Sequence, residues 1–218
     1  DVALSGPPSE RRYVAAPALP TRALTCIVNR RAAGLFQVEP TYRALFADRS
    51  LTHYRVAMAY LGPRWGVELL ELALNRGATV ELLLPWRANV YASANLKAAQ
   101  RLLDADWPGL RLTLDREMVH AKATLAWGDD DDAAPAAFVG SANLVRGSMN
   151  LPVWYGLLPF DELGVLIREP AFCTQLNASM GELLTRPTAE PVRAGDDLLA
   201  APPEWYSGVR ADWEELWQ

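Results

Sequence analysis

Cysteine and histidine are both scarce in this chain, two of each among 218 residues. Cys26 and Cys173 lie far apart and outside any C-x-x-C or metal-type spacing, which excludes a disulfide framework and a thiolate zinc centre. They read as two small buried hydrophobes, and they leave the compartment open. No apolar run approaches the ~18–20 residues that a membrane-crossing helix needs, and no signal-peptide pattern stands at the start. Positive charge is also short: 21 Lys and Arg stand against 26 Asp and Glu, a net charge of −5. That balance argues against broad capture of nucleic acid, which requires a basic face that releases counterions. What the chain has is apolar material, 50% of its residues, enough to fill the core of one large domain.

Along the chain, apolar stretches of strand and helix character alternate. After an irregular, Pro-, Ser- and Ala-rich lead-in over residues 1–22, strands are expected at Leu24–Val28, Tyr54–Leu61, Thr79–Leu84 and around Leu110, Leu112 and Leu114. Helices are expected near Thr41–Ala47, over Trp65–Asn75 with Gly77 as its C-cap, and over Asn95–Ala105, whose apolar and charged residues fall on opposite sides. Residues 119–127 and 136–143 flank Gly128 through Pro135 and read as a hairpin with an acidic tip. The run of Asp within that tip lacks the Gly and distal Glu of an EF-hand loop. Glu162–Arg168 follows as a strand, and Pro170–Leu184 as a helix with Pro at its start. The alternation predicts an α/β fold with a mixed, mostly parallel sheet flanked by helices on both faces. The domain spans 1–187, and 188–218 form a linker and a C-terminal helix, Glu204–Trp217, with three Trp that dock it onto the body or onto a partner.

The residues with chemistry in them come in a fixed order. His120 and Lys122 stand two apart on a strand pattern and so share a face, and the returning hairpin strand brings Ser141 and Asn143 alongside. An imidazole, an ammonium, a hydroxyl and an amide converging on one spot suit a phosphate. Lys122 neutralises its oxygens, Ser141 and Asn143 donate to it, and His120 attacks phosphorus or protonates the leaving oxygen. Glu162 is the carboxylate open to orient that histidine. A lone His-x-Lys or Gly-Ser-x-Asn means little, but Lys122 among Val119, Ala121, Ala123 and Leu125 needs a reason to be there.

The set H-x-K, then G-S-x-N, then E resembles the catalytic motif of the phospholipase D superfamily, and within it the cardiolipin synthase-like members. Asp1–Pro7 is similar to the strand opening the second half of those two-motif enzymes. Ala57–Pro63 is similar to their YF-x-P segment, and Gly77–Pro85 to their RGV-x-V-x-x-L-x-P segment, so the resemblance covers roughly residues 1–185. It implies a phospholipase D-like sandwich as the fold. It also implies His120, Lys122 and Glu162 as catalytic residues, with Lys122, Ser141 and Asn143 binding the substrate phosphate. The resemblance implies chemistry through a phosphohistidine, without metal or cofactor, on a phospholipid substrate, and leaves peripheral membrane contact open.

The resemblance further implies a second motif, because such enzymes use two histidines, one as nucleophile and one as acid. The other histidine here, His53, has Arg55 where a lysine would stand, and reads as structural or surface. The missing half is expected from an N-terminal domain, from a cleaved partner or from a symmetric copy. The start at Asp1, without methionine, favours the first two. Four departures stand beside the match: Trp127 where the family has Asp, with Asp129 two further on; a longer hairpin; about eight extra residues, Pro152–Tyr155 among them, before Glu162; and Phe160 in place of Asn. They keep open two other readings, a homodimeric one-motif nuclease and a catalytically lapsed binding domain.

Overall fold

The computed structural model describes residues 18–86, 92–129, 134–149 and 160–199. The 1–17 part of the lead-in, the Asp1–Pro7 segment, Pro152–Tyr155, most of the acidic tip and the helix expected at Glu204–Trp217 lie outside these residues. Nine strands form one sheet among the described residues: β1 (Leu24–Arg30), β2 (Leu35–Phe36), β3 (His53–Met58), β4 (Thr79–Pro85), β5 (Leu110–Asp115), β6 (Lys122–Trp127), β7 (Ala136–Gly140), β8 (Glu162–Ile167) and β9 (Ala189–Val192). Their order is β2-β1-β8-β7-β6-β3-β4-β5-β9. Four helices accompany them: α1 (Val38–Ala47), α2 (Trp65–Leu74), α3 (Ala92–Asp104) and α4 (Pro170–Leu184).

The α/β class and the helices on both faces are as expected, but the parallel pairing is confined to β3, β4 and β5. The cause is connectivity. Helices α2 and α3 carry the chain back between these strands and so allow parallel neighbours, whereas β6 and β7 are joined as a hairpin, which forces antiparallel pairing. Pairs β7–β8, β1–β8, β3–β6 and β5–β9 are antiparallel too. The linker expected from residue 188 contains a strand: β9 closes the β5 edge, and its Pro191 is tolerated because an edge strand need not donate on both sides.

Alternation along the strands separates two cores. Tyr54, Val56 and Met58 of β3, Val80, Leu82 and Leu84 of β4, and Phe138 of β7 pack against α1, α2 and α3. Tyr42 of α1 meets Phe138 edge-on, with ring centroids 4.7 Å apart, an arrangement that adds to plain area burial. On the other face Ala57, Leu83, Leu125, Ala137 and Ile167 pack under Cys173 and Met180 of α4. Because α4 packs over β3 and β6, the α4 side of β1 is left uncovered among the described residues. Cys173 is buried as the sequence suggests, but Cys26 is exposed for this reason. Leu24 and Leu163, on the same uncovered strip, are 62% and 58% exposed.

Candidate active site

The register of the sheet places the chemistry at one of its ends. Lys122 opens β6 opposite Met58, the last residue of β3. Glu162 opens β8 opposite Asn29, and Ser141 follows the last residue of β7, its amide donating to the Leu163 carbonyl at 2.9 Å. Gly140 and Gly164 face each other across β7 and β8. A Cβ on Gly140 would stand 2.5 Å from Gly164 Cα, and one on Gly164 would stand 2.5 Å from the Phe138 ring. These glycines let two strands and an aromatic ring close up directly behind Ser141 and Glu162.

His120 is exposed in the turn before β6, and its ring nitrogen Nε2 lies 3.1 Å from Lys122 Nζ. A charged ammonium can only donate, so Nε2 is the acceptor, and a neutral ring carries its proton on Nδ1. Half-burial lowers the Lys122 pKa below the ordinary 10.5, while the negative charge of Glu162 works in the opposite direction. Glu162 itself is buried. Its carboxylate accepts from Ser141 Oγ and from Ser148 Oγ, the latter at 2.5 Å. Its hydrogen bonds thus go to serines and not to the His120 ring, whose own contacts are Lys122 and an edge-on approach to Tyr60 at 6.4 Å.

Tyr60 links the two sides of the site, because its backbone N–H donates to Asn143 Oδ1 at 3.2 Å while its ring faces His120. Behind it the fully buried Asn95 of α3 accepts from the Leu61 amide at 2.8 Å and donates to the Ala59 carbonyl at 2.9 Å, which fixes the chain where it leaves β3. His120 meets Lys122, Ser141 meets Glu162, and Asn143 meets the backbone of Tyr60, all at this end of the sheet. Sequence reasoning missed Ser148, Tyr60 and Asn95. Ser148 could have been suspected as a hydroxyl in the segment after Gly-Ser-x-Asn, but Tyr60 and Asn95 act through partners 34 to 83 residues away, and nothing local marks them.

Trp127 ends β6, roughly 16 Å from Lys122 at the rise of a strand. It stacks on His53 with ring centroids 5.5 Å apart. Asp129 accepts from His53 Nε2 at 2.6 Å and from Thr52 Oγ1 at 2.8 Å, bonds that hold its carboxyl below the usual carboxylate range. These residues form a separate cluster at the far end of β3 and β6, so the exchange of Asp for Trp does not touch the His120 group. Phe160 is partly exposed and donates its amide to the Gly147 carbonyl at 3.1 Å, with its ring against Gly147. A cavity of about 520 Å³ near α3, β5 and β9 is lined by Trp107 and Leu112, not by His120 or Lys122. Among the described residues, no helix is long and apolar enough to cross a membrane.

No family model and no curated protein matches the chain. Solved structures share its fold. The phospholipase D family member Nuc from Salmonella typhimurium aligns at a TM-score of 0.59 and 16% identity, over 78% of this chain and 99% of its own. Phosphatidylserine synthase from Haemophilus influenzae aligns at 0.60 and 14% identity, over 88% of this chain but 44% of its own. NucT from Helicobacter pylori aligns at 0.54 and 12%, over 78% of this chain and 99% of its own. The chain therefore spans nearly all of two of these structures and less than half of the third. At these identities the likeness is one of fold.

Proposed function

We propose, starting from the phospholipase D fold of this chain, that it is one half of a phosphodiesterase or phosphatidyltransferase acting on phospholipid phosphodiesters. The observation that carries the reading is the contact between Lys122 Nζ and His120 Nε2 at 3.1 Å, in a site that also holds Asn143 and Glu162. A phosphoryl oxygen is a stronger partner for the ammonium than a neutral imidazole. Substrate therefore draws Lys122 onto its phosphate and frees the Nε2 lone pair, which stands beside the phosphorus.

The chemistry follows in two displacements. The lone pair of one histidine forms a bond to phosphorus while the bond to the leaving alcohol breaks, and that oxygen takes a proton from the second histidine. Water or an acceptor alcohol then attacks the phosphohistidine and gives its proton to the same second histidine, which restores both rings. Lys122 and Asn143 stabilise the charge on the non-bridging oxygens, so no metal or cofactor is used. His120 fills one of the two histidine roles, and the other comes from an N-terminal half, a separate chain or a second copy. The open position of His120, and the uncovered apolar Leu163 directly after Glu162, support a site completed by such a partner. A net charge of −5 supports a phospholipid over a nucleic acid as substrate.

The test is turnover of a phosphatidyl ester by the chain assembled with the half that completes its site, wild type against His120→Asn. A loss of about 10³-fold or more supports the reading, and an unchanged rate overturns it. Sedimentation with a salt-dependent DNA-binding assay separates the homodimeric nuclease. An ordered tungstate between Lys122 and Asn143 separates a working site from a lapsed one.

A further inference from the structure

We propose that Arg186, in the turn between α4 and β9, is a positioning residue for His120. The inference rests on the reading of His120 given above. His120 is exposed, and its side-chain contacts are with Lys122 and the edge of Tyr60. Its place in space is therefore set by the short loop 116–121 that carries it from β5 to β6.

That loop is tied down at its start by the segment following α4. Asp115, the last residue of β5, is fully buried, and its Oδ1 accepts from the Glu117 amide at 2.9 Å. Its Oδ2 has no hydrogen-bond partner and faces Arg186 Nη1 at 3.3 Å. The other arm of the same guanidinium, Nη2, donates to Glu117 Oε2. Beside it the Arg116 amide donates to the Thr188 carbonyl at 2.9 Å, and the Arg116 side chain pairs with Glu190. Asp115 and Glu117 are thus held by Arg186, and Arg116 by Thr188 and Glu190. Beyond them Met118 packs against Tyr60 and Val145, Val119 is buried, and the Ala121 carbonyl accepts from the Ala59 amide at 2.8 Å.

Arg186 is the anchor of this set that spans two carboxylates and answers a buried charge. Without it, Asp115 keeps a carboxylate oxygen in the interior with no counter-charge, and relief comes from pulling Asp115 and Glu117 toward water. That movement is transmitted to His120 three residues on. A planar fork does what an ammonium cannot, holding two carboxylates at a fixed separation. Reacting groups tolerate little displacement, and an error of about 1 Å costs on the order of 10²-fold in rate.

The chain's two histidines make the test clean, because His53 lies at the far end of β3 and serves as an internal reference for the imidazole NMR signals of His120. We expect Arg186→Gln to shift or broaden the His120 signals while those of His53 stay in place. In the assembled enzyme, kcat falls about 10- to 100-fold with KM within about threefold, and Arg186→Lys recovers part of the loss. Should Arg186→Gln fail to fold, Arg186→Lys, which keeps a counter-charge for Asp115 but not the fork that also holds Glu117, is read in its place, with a smaller shift of the His120 signals and a smaller fall in kcat expected. Unchanged His120 signals and kcat, with His120→Asn inactive, overturn the positioning role alone and leave Arg186 as a plain structural ion pair. A wild-type rate for His120→Asn overturns the functional reading, and the positioning role falls with it.

Discussion

Ser148 and Glu162 stand fourteen residues apart in sequence and meet at 2.5 Å, hydroxyl to carboxylate, in a site where both are buried. The carbonyl of Ser148 in turn accepts from the Asn29 side-chain amide at 2.8 Å, and Asn29 Oδ1 accepts from the backbone amides of Gln37 and Val38 at the start of α1. A buried carboxylate is tolerable only with donors of this kind. The chain from α1 through Asn29, Ser148 and Glu162 to Ser141 is what gives a negative charge a fixed place near Lys122.

Ser148→Ala removes one of the two hydroxyl donors and leaves a carboxylate oxygen unsatisfied. Urea unfolding should show a loss of about 1–3 kcal/mol. Adding Glu162→Gln should make the serine deletion cost less than it does alone, because the group left short of a donor is then neutral. Additive losses in this double-mutant cycle would contradict the coupling.

Asn95→Ala leaves the Leu61 amide and the Ala59 carbonyl without their partner. At roughly 1–3 kcal/mol for each buried group left unpaired, it should be among the more costly single changes, read as a drop in the unfolding midpoint. Because Tyr60 lies between these two groups, tungstate binding should weaken as well. A stability loss with unchanged tungstate affinity would show that the Tyr60 segment holds its place by other means.

The pH dependence of anion binding follows from Lys122. Its pKa is lowered by burial, and a lysine binds oxyanions only while protonated, so affinity is present at low pH and lost as pH rises through a midpoint below 10.5. Glu162 favours the charged form, so Glu162→Gln should move that midpoint to lower pH. Calorimetric titration of tungstate across a pH series checks both, and a midpoint that rises in Glu162→Gln contradicts the assigned sign. His53→Ala, at the far end of β3, should leave the affinity within about twofold, as expected for distant independent sites.

Much of the fold was legible because the signals were local. Helix α4 begins and ends where Pro170 and the apolar pattern placed it, and Glu169 caps it by accepting from the Ala171 and Phe172 amides. Gly77 closes the turn after α2 with a positive φ of 82°. By contrast, α1 starts three residues earlier than its periodicity suggested, because its capping oxygen comes from Asn29 on β1. Strand β9 has the sequence of a linker, because Pro191 masks a four-residue edge strand whose partner lies far back in β5. The sheet is less parallel than the alternation suggests for a related reason, since parallel pairing depends on crossover helices and the last of these between paired strands is α3. In the site, His120 and Lys122 were readable as near neighbours. The serine partners of Glu162 were not, because they depend on how β7 and β8 close over Gly140 and Gly164.

The most direct measurement is trapping of the covalent intermediate. The chain, assembled with its complementing half, is quenched in acid-free conditions during turnover of a phosphatidyl ester and analysed by mass spectrometry for histidine carrying the phosphatidyl group, in parallel with His120→Asn. Wild type should carry a phosphatidyl group on His120 or on the partner's histidine, and His120→Asn should either lose the adduct or accumulate it on the partner without turning over. A His120→Asn protein that turns over at the wild-type rate, with no phosphohistidine in either form, would contradict it.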